Sequence, residues 1–247
     1  MTDTPSTYVL VHGAWHGGWA WDRVATPLRM AGHRVYTPTL TGLGECAHLL
    51  TPDVGLQTHV TDIVEVLEQH DLTDVILVGH SYAGFVVRGA ADAVPHRIRR
   101  LVLVDAWVGA DGTSMHDHAP APFVTAMRDA AGRHGAGRYI PPPAPEQVGV
   151  HDPADIAWLR DRLTAHPLRT FDEPTRLTGA VDRIDTLAIT ATPGNAIPFA
   201  AWAHEFGWPV YEVASGHDVM VTAAPALTEL LLRAADTAAV ANNNERQ

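Results

Sequence analysis

Residues 75–84 read Val75-Ile76-Leu77-Val78-Gly79-His80-Ser81-Tyr82-Ala83-Gly84. The first four, apolar and largely β-branched, predict a central strand buried on both faces. Residues 82–93 predict a helix, with Pro95 just beyond it. A direct strand-to-helix turn is so sharp that the residues two before and two after Ser81 must be small, and Gly79 and Ala83 are. Such a bend holds a serine hydroxyl clear of the sheet, where it can act as a nucleophile. The helix N-terminus beneath it favours developing negative charge. The plainer reading, a serine capping a helix, is outweighed by strand, turn and helix falling in register.

Working outward, short apolar runs alternate with longer amphipathic ones. Strands are predicted at residues 8–11, 33–37, 101–104, 187–190 and 210–213. Helices are predicted at about 21–30, 56–69 and 224–239, and the polar tail 242–247 is expected to be disordered. In 56–69 the apolar side chains Leu56, Val60, Ile63, Val64 and Leu67 share one helical face. The alternation predicts an α/β fold with a mostly parallel central sheet flanked by helices. Residues 107–180 break the rhythm: no convincing strand, helical stretches at 123–131 and 153–165, and Pro141-Pro142-Pro143 between them. That is too long for a connection. It reads as a helical cap inserted after the strand that follows the elbow and laid over the C-terminal sheet edge, where open α/β sheets bind ligands. The core is then 1–106 and 181–241; the alternative is a peripheral subdomain with no role at the site.

A serine needs a base. His217 follows the strand 210–213 in Ser215-Gly216-His217-Asp218, on the last loop at the same edge, and nucleophile first with histidine last is the order this architecture uses. Asp218 is read as serving a turn. Two backbone N–H groups, of Tyr82 and of Ala14 in the loop after the first strand, are expected to form the oxyanion hole. His12 and His16 sit four apart, but in a Gly-rich loop without an accompanying carboxylate motif, so no metal is expected. The third member is displaced. The usual place, after the strand 187–190, holds no carboxylate, Asp185 is at the wrong end of that strand and Glu205 lies on the following helix. Asp105 ends the strand after the elbow helix. With parallel neighbours about 4.8 Å apart, it is expected to approach His217 from an adjacent strand end and to fix its tautomer. Asp111 and a neutral Asn195 are reserves.

The chain has 247 residues, a net charge of −11 and 17 basic residues, every one of them arginine. Lysine-based catalysis is excluded and a nucleic-acid footprint is not indicated. The single Cys46 forbids an intrachain disulfide and suits a reducing compartment. No signal peptide and no run near the roughly 18 apolar residues of a membrane span is visible, so a cytoplasmic location is expected. Nothing calls for a cofactor. Trp107, Phe123, Met127 and Trp158 of the cap, with Trp15 and Met220, are expected to line an apolar or aromatic pocket.

The stretches 9–21 (VLVHGAWHGGWAW), 32–44, 78–84 (VGHSYAG) and Gly216-His217 resemble the methylesterase and hydroxynitrile-lyase branch of the α/β-hydrolases and its bacterial relatives. The likeness runs over nearly the whole chain and is weakest in the cap. It implies an α/β-hydrolase fold, with Ser81 and His217 catalytic and Ala14 and Tyr82 at the oxyanion hole. The usual aspartate does not carry over, because Gly194 or Asn195 takes its place; some relatives use the earlier strand, as Asp105 would. The lyases rely on a lysine beside the histidine and a threonine in the first loop, and here those places hold Asp218 and Gly13. The resemblance therefore implies a serine hydrolase acting on a small ester, carbamate or lactone. A lyase or cyclase, or a ligand-binding protein with reduced catalysis, is the alternative, and the oligomeric state stays open, a homodimer included.

Overall fold

The computed structural model describes residues 5–193 and 197–235. In chain order its elements are β1 (Thr7–Val11), α1 (Asp22–Met30), β2 (Arg34–Tyr36), α2 (Leu56–Gln69), β3 (Val75–His80), α3 (Ala83–Ala93) and β4 (Ile98–Val104). Then come α4 (Met115–His118), α5 (Ala121–His134), β5 (Tyr139–Ile140), α6 (Pro153–Arg160), β6 (His166–Pro167) and α7 (Arg169–Asp172). The chain closes with β7 (Asp185–Thr192), α8 (Phe199–Glu205), β8 (Val210–Ala214), α9 (Val219–Thr222) and α10 (Ala224–Ala235). Residues 236–239 of the expected last helix, the tail 242–247 and Asn195 lie outside the described residues.

Six strands form one sheet in the order β2-β1-β3-β4-β7-β8, and each neighbouring pair is parallel. Side chains alternate between two buried layers. Val9, Val11, Val75, Leu77, Leu101 and Leu103 point into the layer that holds α2 and α3. Tyr8, Leu10, Ile76, Val78, Val102 and Val104 point into the layer that holds α1 and α10. Burial on both faces is why these strands read as unbroken apolar runs. Among the described residues, no helix is long and apolar enough to cross a membrane.

Two sequence expectations change between β4 and β7. The segment contains strands after all: β5 and β6 pair antiparallel, Tyr139 with Pro167 and Ile140 with His166. Strands two residues long carry no readable alternation. The helix expected at 153–165 ends at Arg160, and the chain beyond it turns to meet the loop after β1, where the Thr164 N–H donates to the Trp15 carbonyl at 2.9 Å. The segment thus touches the C-terminal edge of the sheet directly.

The elbow helix lies unusually close to the chain leaving β4. A Cβ placed on Gly84 would stand 2.1 Å from the Trp107 carbonyl oxygen, a backbone atom that cannot step aside. Gly84→Ala is expected to destabilise the fold by about 1–3 kcal/mol, read as a lower midpoint in urea denaturation with an unchanged m-value.

Candidate active site

Strand register brings the first two side chains together. His80 pairs with Val104 across β3 and β4, so Ser81 and Asp105 are the next residue on each strand. Both turn left-handed, with φ of 54° and 43°, a conformation that costs a non-glycine residue about 1–3 kcal/mol. The turn at Ser81 is pinned by its own backbone: its N–H donates to Val104, and its carbonyl accepts from Gly84 and Trp107, at 3.0–3.1 Å. At Asp105 the N–H donates to the Ile189 carbonyl at 2.7 Å, and the carboxylate Oδ1 accepts the Ala191 N–H at 3.1 Å.

His217 closes the line. Its Nδ1 lies 2.6 Å from Asp105 Oδ2 and its Nε2 lies 2.9 Å from Ser81 Oγ. A carboxylate can only accept, so Nδ1 carries the hydrogen and Nε2 offers a lone pair to the serine hydroxyl. This arrangement can draw the proton from Ser81 while Asp105 balances the imidazolium that forms. The strands differ from the expectation in one respect: β7 lies between β4 and β8. The loop after β8 therefore arches back over the end of β7 to reach an aspartate two strands away. The reserve Asp111 is remote; its Oδ1 accepts the Leu177 N–H at 2.7 Å. Asp185 pairs with Arg100 at the opposite end of the sheet.

The amides of Ala14 and Tyr82 flank the serine, and among the described residues neither has a hydrogen-bond partner. The loop carrying Ala14 is held by His12, whose Nδ1 donates to the Gly13 carbonyl at 2.8 Å while Nε2 accepts the Leu40 N–H at 3.1 Å. Burial lowers the His12 pKa to about 3, so it works as a neutral clamp. On the other side Tyr82 is buried with its hydroxyl 3.0 Å from His59 Nδ1.

Sequence reasoning passed over four residues that frame His217. His80, inside the elbow motif, donates from Nε2 to the His217 carbonyl at 2.9 Å; burial, with His217 nearby, brings its pKa down to about 3. The His217 N–H donates to the Val148 carbonyl at 2.9 Å, so the segment 107–180 grips the backbone of His217 itself. There Gly149, at φ 81°, packs against Gly216 so tightly that a Cβ on it would be 2.7 Å from the Gly216 Cα. Phe199 stacks on the imidazole, centroids 5.5 Å apart and planes 12° from parallel. Asp218 does more than serve a turn. It is buried, and its Oδ2 lies 3.3 Å from His16 Nε2. None of these carried a spacing signal, because each partner arrives from a different loop.

A cavity opens beside Ser81 and His217, walled by Trp15, Pro143, Val148 and Leu163. Of the six side chains expected to line a pocket, Trp15 borders this one. It is fixed by its indole N–H, which donates to the Ile140 carbonyl at 3.1 Å. Trp107, Phe123 and Met127 do not border the cavity; they pack in the core layer that holds α2 and α3, Trp107 on Phe123, Phe199 and Trp202 at 5.4–5.7 Å. The other two are corrections as well. Trp158 turns away to meet Trp19 edge-on at 4.9 Å, between Arg23 and Arg162, because α6 docks on the turn before α1. Met220, fully buried, points from α9 into the layer beneath the sheet.

The profile of the Alpha/beta hydrolase family matches residues 8–229. The chain belongs to this family. A carbendazim hydrolyzing esterase of Nocardioides sp. (strain SG-4G) is 39% identical over 239 residues, covering 92% of this chain and 98% of that protein. Methylesterase 9 of Arabidopsis thaliana is 37% identical over 102 residues, 41% of this chain and 40% of that one. Among solved structures, an extracellular alpha/beta-hydrolase from a Paenibacillus species superposes with a TM-score of 0.83 at 26% identity, covering 93% of this chain and 98% of its own. It is described as sharing structural and functional homology with tobacco Salicylic Acid Binding Protein 2.

In this member of the family the Asp218 carboxyl falls from 3.8 to about 2: burial opposes its charge, but His16, joined by His80 and His217, outweighs burial. A lowered carboxylate pKa contributes stability that is present above 3.8 and is lost as pH falls through about 2. Asp218→Asn is expected to cost about 2 kcal/mol at neutral pH, a gap narrowing to roughly half by pH 3, measured by urea denaturation at each pH.

Proposed function

We propose that this protein is a serine hydrolase that cleaves a small ester, carbamate or lactone by acyl transfer to water. The observation that carries the reading is the unbroken line from Asp105 through His217 to Ser81, at 2.6 and 2.9 Å, beside two unpartnered amides. Ser81 Oγ attacks the substrate carbonyl as His217 Nε2 takes its proton. The Ala14 and Tyr82 N–H groups stabilise the oxyanion. His217 then protonates the leaving group, and an acyl- or carbamoyl-enzyme remains on Ser81. Water, activated by the same imidazole, releases the acid and restores the serine.

Residues 107–180 act in this reading as the cap, with Pro143, Val148 and Leu163 giving the cavity an apolar wall suited to an apolar or aromatic substrate. The likeness to the carbendazim hydrolyzing esterase, which extends over nearly all of that protein, supports the hydrolase reading and makes carbendazim a natural probe.

The test is turnover of p-nitrophenyl acetate, an aryl carbamate and carbendazim by wild type, Ser81→Ala and Asp105→Asn. Ser81→Ala is expected to abolish measurable turnover, and Asp105→Asn to lower kcat by about 10⁴-fold, with circular dichroism unchanged in both. An Asp105→Asn variant of full activity would remove Asp105 from the mechanism. Wild type that turns over none of the three, and whose Ser81 resists a fluorophosphonate, would sink the hydrolase reading in favour of a lyase, a cyclase or a ligand-binding protein.

A further inference from the structure

The cavity that holds the Ser81–His217–Asp105 line is bordered by a second histidine–carboxylate pair. His16 and Asp218 both line it, their side chains 6% and 1% exposed. His16 stands two residues beyond Ala14, and Asp218 directly follows His217. The pair therefore joins the loop with the proposed oxyanion donor to the loop with the proposed base, 202 positions later in the chain.

Both ring nitrogens of His16 face acceptors. Nδ1 is 2.7 Å from the Ala14 carbonyl oxygen, and Nε2 is 3.3 Å from Asp218 Oδ2. A neutral imidazole has one N–H and would leave the other nitrogen's lone pair against an oxygen; the imidazolium satisfies both contacts. Among the described residues no other carboxylate pairs with the ring. Trp19 lies 5.5 Å away and His80 lies 6.2 Å away. His12, His80 and His166, the other titratable groups that sense His16, are all driven by burial toward the neutral form. A buried ion pair is expensive to desolvate and is a poor device for stability alone.

We propose that His16 and Asp218 form a positioning pair that sets the oxyanion loop and the general-base loop at one fixed separation across the substrate carbonyl. The inference rests on the serine-hydrolase reading and adds to it a device that neither catalytic loop contains by itself. The Nδ1 contact fixes the peptide that follows the Ala14 amide, and the Nε2 contact fixes the residue that follows His217, so both ends of the developing charge are held from one ring.

The device has a pH signature. Burial opposes charge on His16, but Asp218 and the Ala14 carbonyl prevail and raise its pKa. A raised histidine pKa means the pair is intact below that value and is lost as pH rises through it. The rate then falls on the alkaline side, when His16 sheds its proton.

The full chain is tested as wild type, His16→Gln, Asp218→Asn and the double variant, with a p-nitrophenyl ester. Each single change is expected to lower kcat about ten- to a hundredfold with KM within about twofold, and the double variant to lose no more than the worse single. The alkaline limb of the wild-type profile is expected to vanish in His16→Gln and to move to lower pH in Asp218→Asn, the acid limb staying in place. Unchanged kcat and unchanged limbs in folded variants, with only a lower melting temperature, would reduce the pair to packing and overturn the proposal. If the variants do not fold, histidine ¹⁵N shifts of the wild type decide. An imidazolium at His16 near neutral pH, titrating with the alkaline limb, supports the proposal, and a neutral ring overturns it. Fluorophosphonate labelling of wild-type Ser81 with unaltered variants would sink this inference alone; absence of labelling would sink it together with the hydrolase reading.

Discussion

The register between β3 and β4 is the constraint on which the candidate site depends. Pairing His80 with Val104 makes Ser81 and Asp105 exit the sheet side by side, and both residues accept a left-handed backbone to do so. Slipping one strand by a residue would send every side chain of that strand to the opposite layer, so the two apolar layers that stabilise the fold also fix the serine and the aspartate. The close approach of Gly84 to the Trp107 backbone is part of the same arrangement, since it lets α3 start directly under the bend.

Three imidazoles crowd this edge in three different hydrogen-bonding settings, each dictated by its partners. His217 faces a carboxylate on one side and a hydroxyl on the other, which places a hydrogen on Nδ1. His80 faces a single carbonyl and is buried neutral with the hydrogen on Nε2. His16 faces an acceptor at each nitrogen, contacts that the two N–H groups of an imidazolium would both satisfy. Chemically identical side chains are sorted by which oxygen stands opposite which nitrogen, at separations of 4.8 and 6.2 Å between neighbouring rings.

Much of this was legible in the sequence, and the rest was not for identifiable reasons. Strands such as 75–78 and 101–104 announce themselves because burial on both faces demands unbroken apolar residues, and Ser81 is marked by small neighbours that only a sharp bend requires. Asp105 could be picked out by the lack of a carboxylate in the stretch directly after β7, but not the route by which His217 reaches it, which depends on strand order. The pocket was the poorest part. Aromatic and methionine residues identify themselves as apolar but not which way they face, so Trp158 and Met220 were indistinguishable from Trp15. His16, His80 and Asp218 lie far apart in the chain, His80 at the end of β3 and the other two on loops, and no periodicity links them. The strands β5 and β6 are too short to leave a pattern.

The grip of Val148 on the His217 backbone, with the Gly149–Gly216 contact beside it, bears on how such a protein can diversify. A segment that shares a hydrogen bond with the main chain of His217, the candidate base, is not an interchangeable module. Replacing it wholesale to suit another substrate removes the hydrogen bond that holds the His217 N–H, leaving the His80 contact to the carbonyl of the same residue. Lineages and engineers alike are confined to altering the wall residues around a retained Val148–Gly149 seam, so the breadth of substrates within reach is set by how much variety that seam tolerates at Pro143 and Leu163.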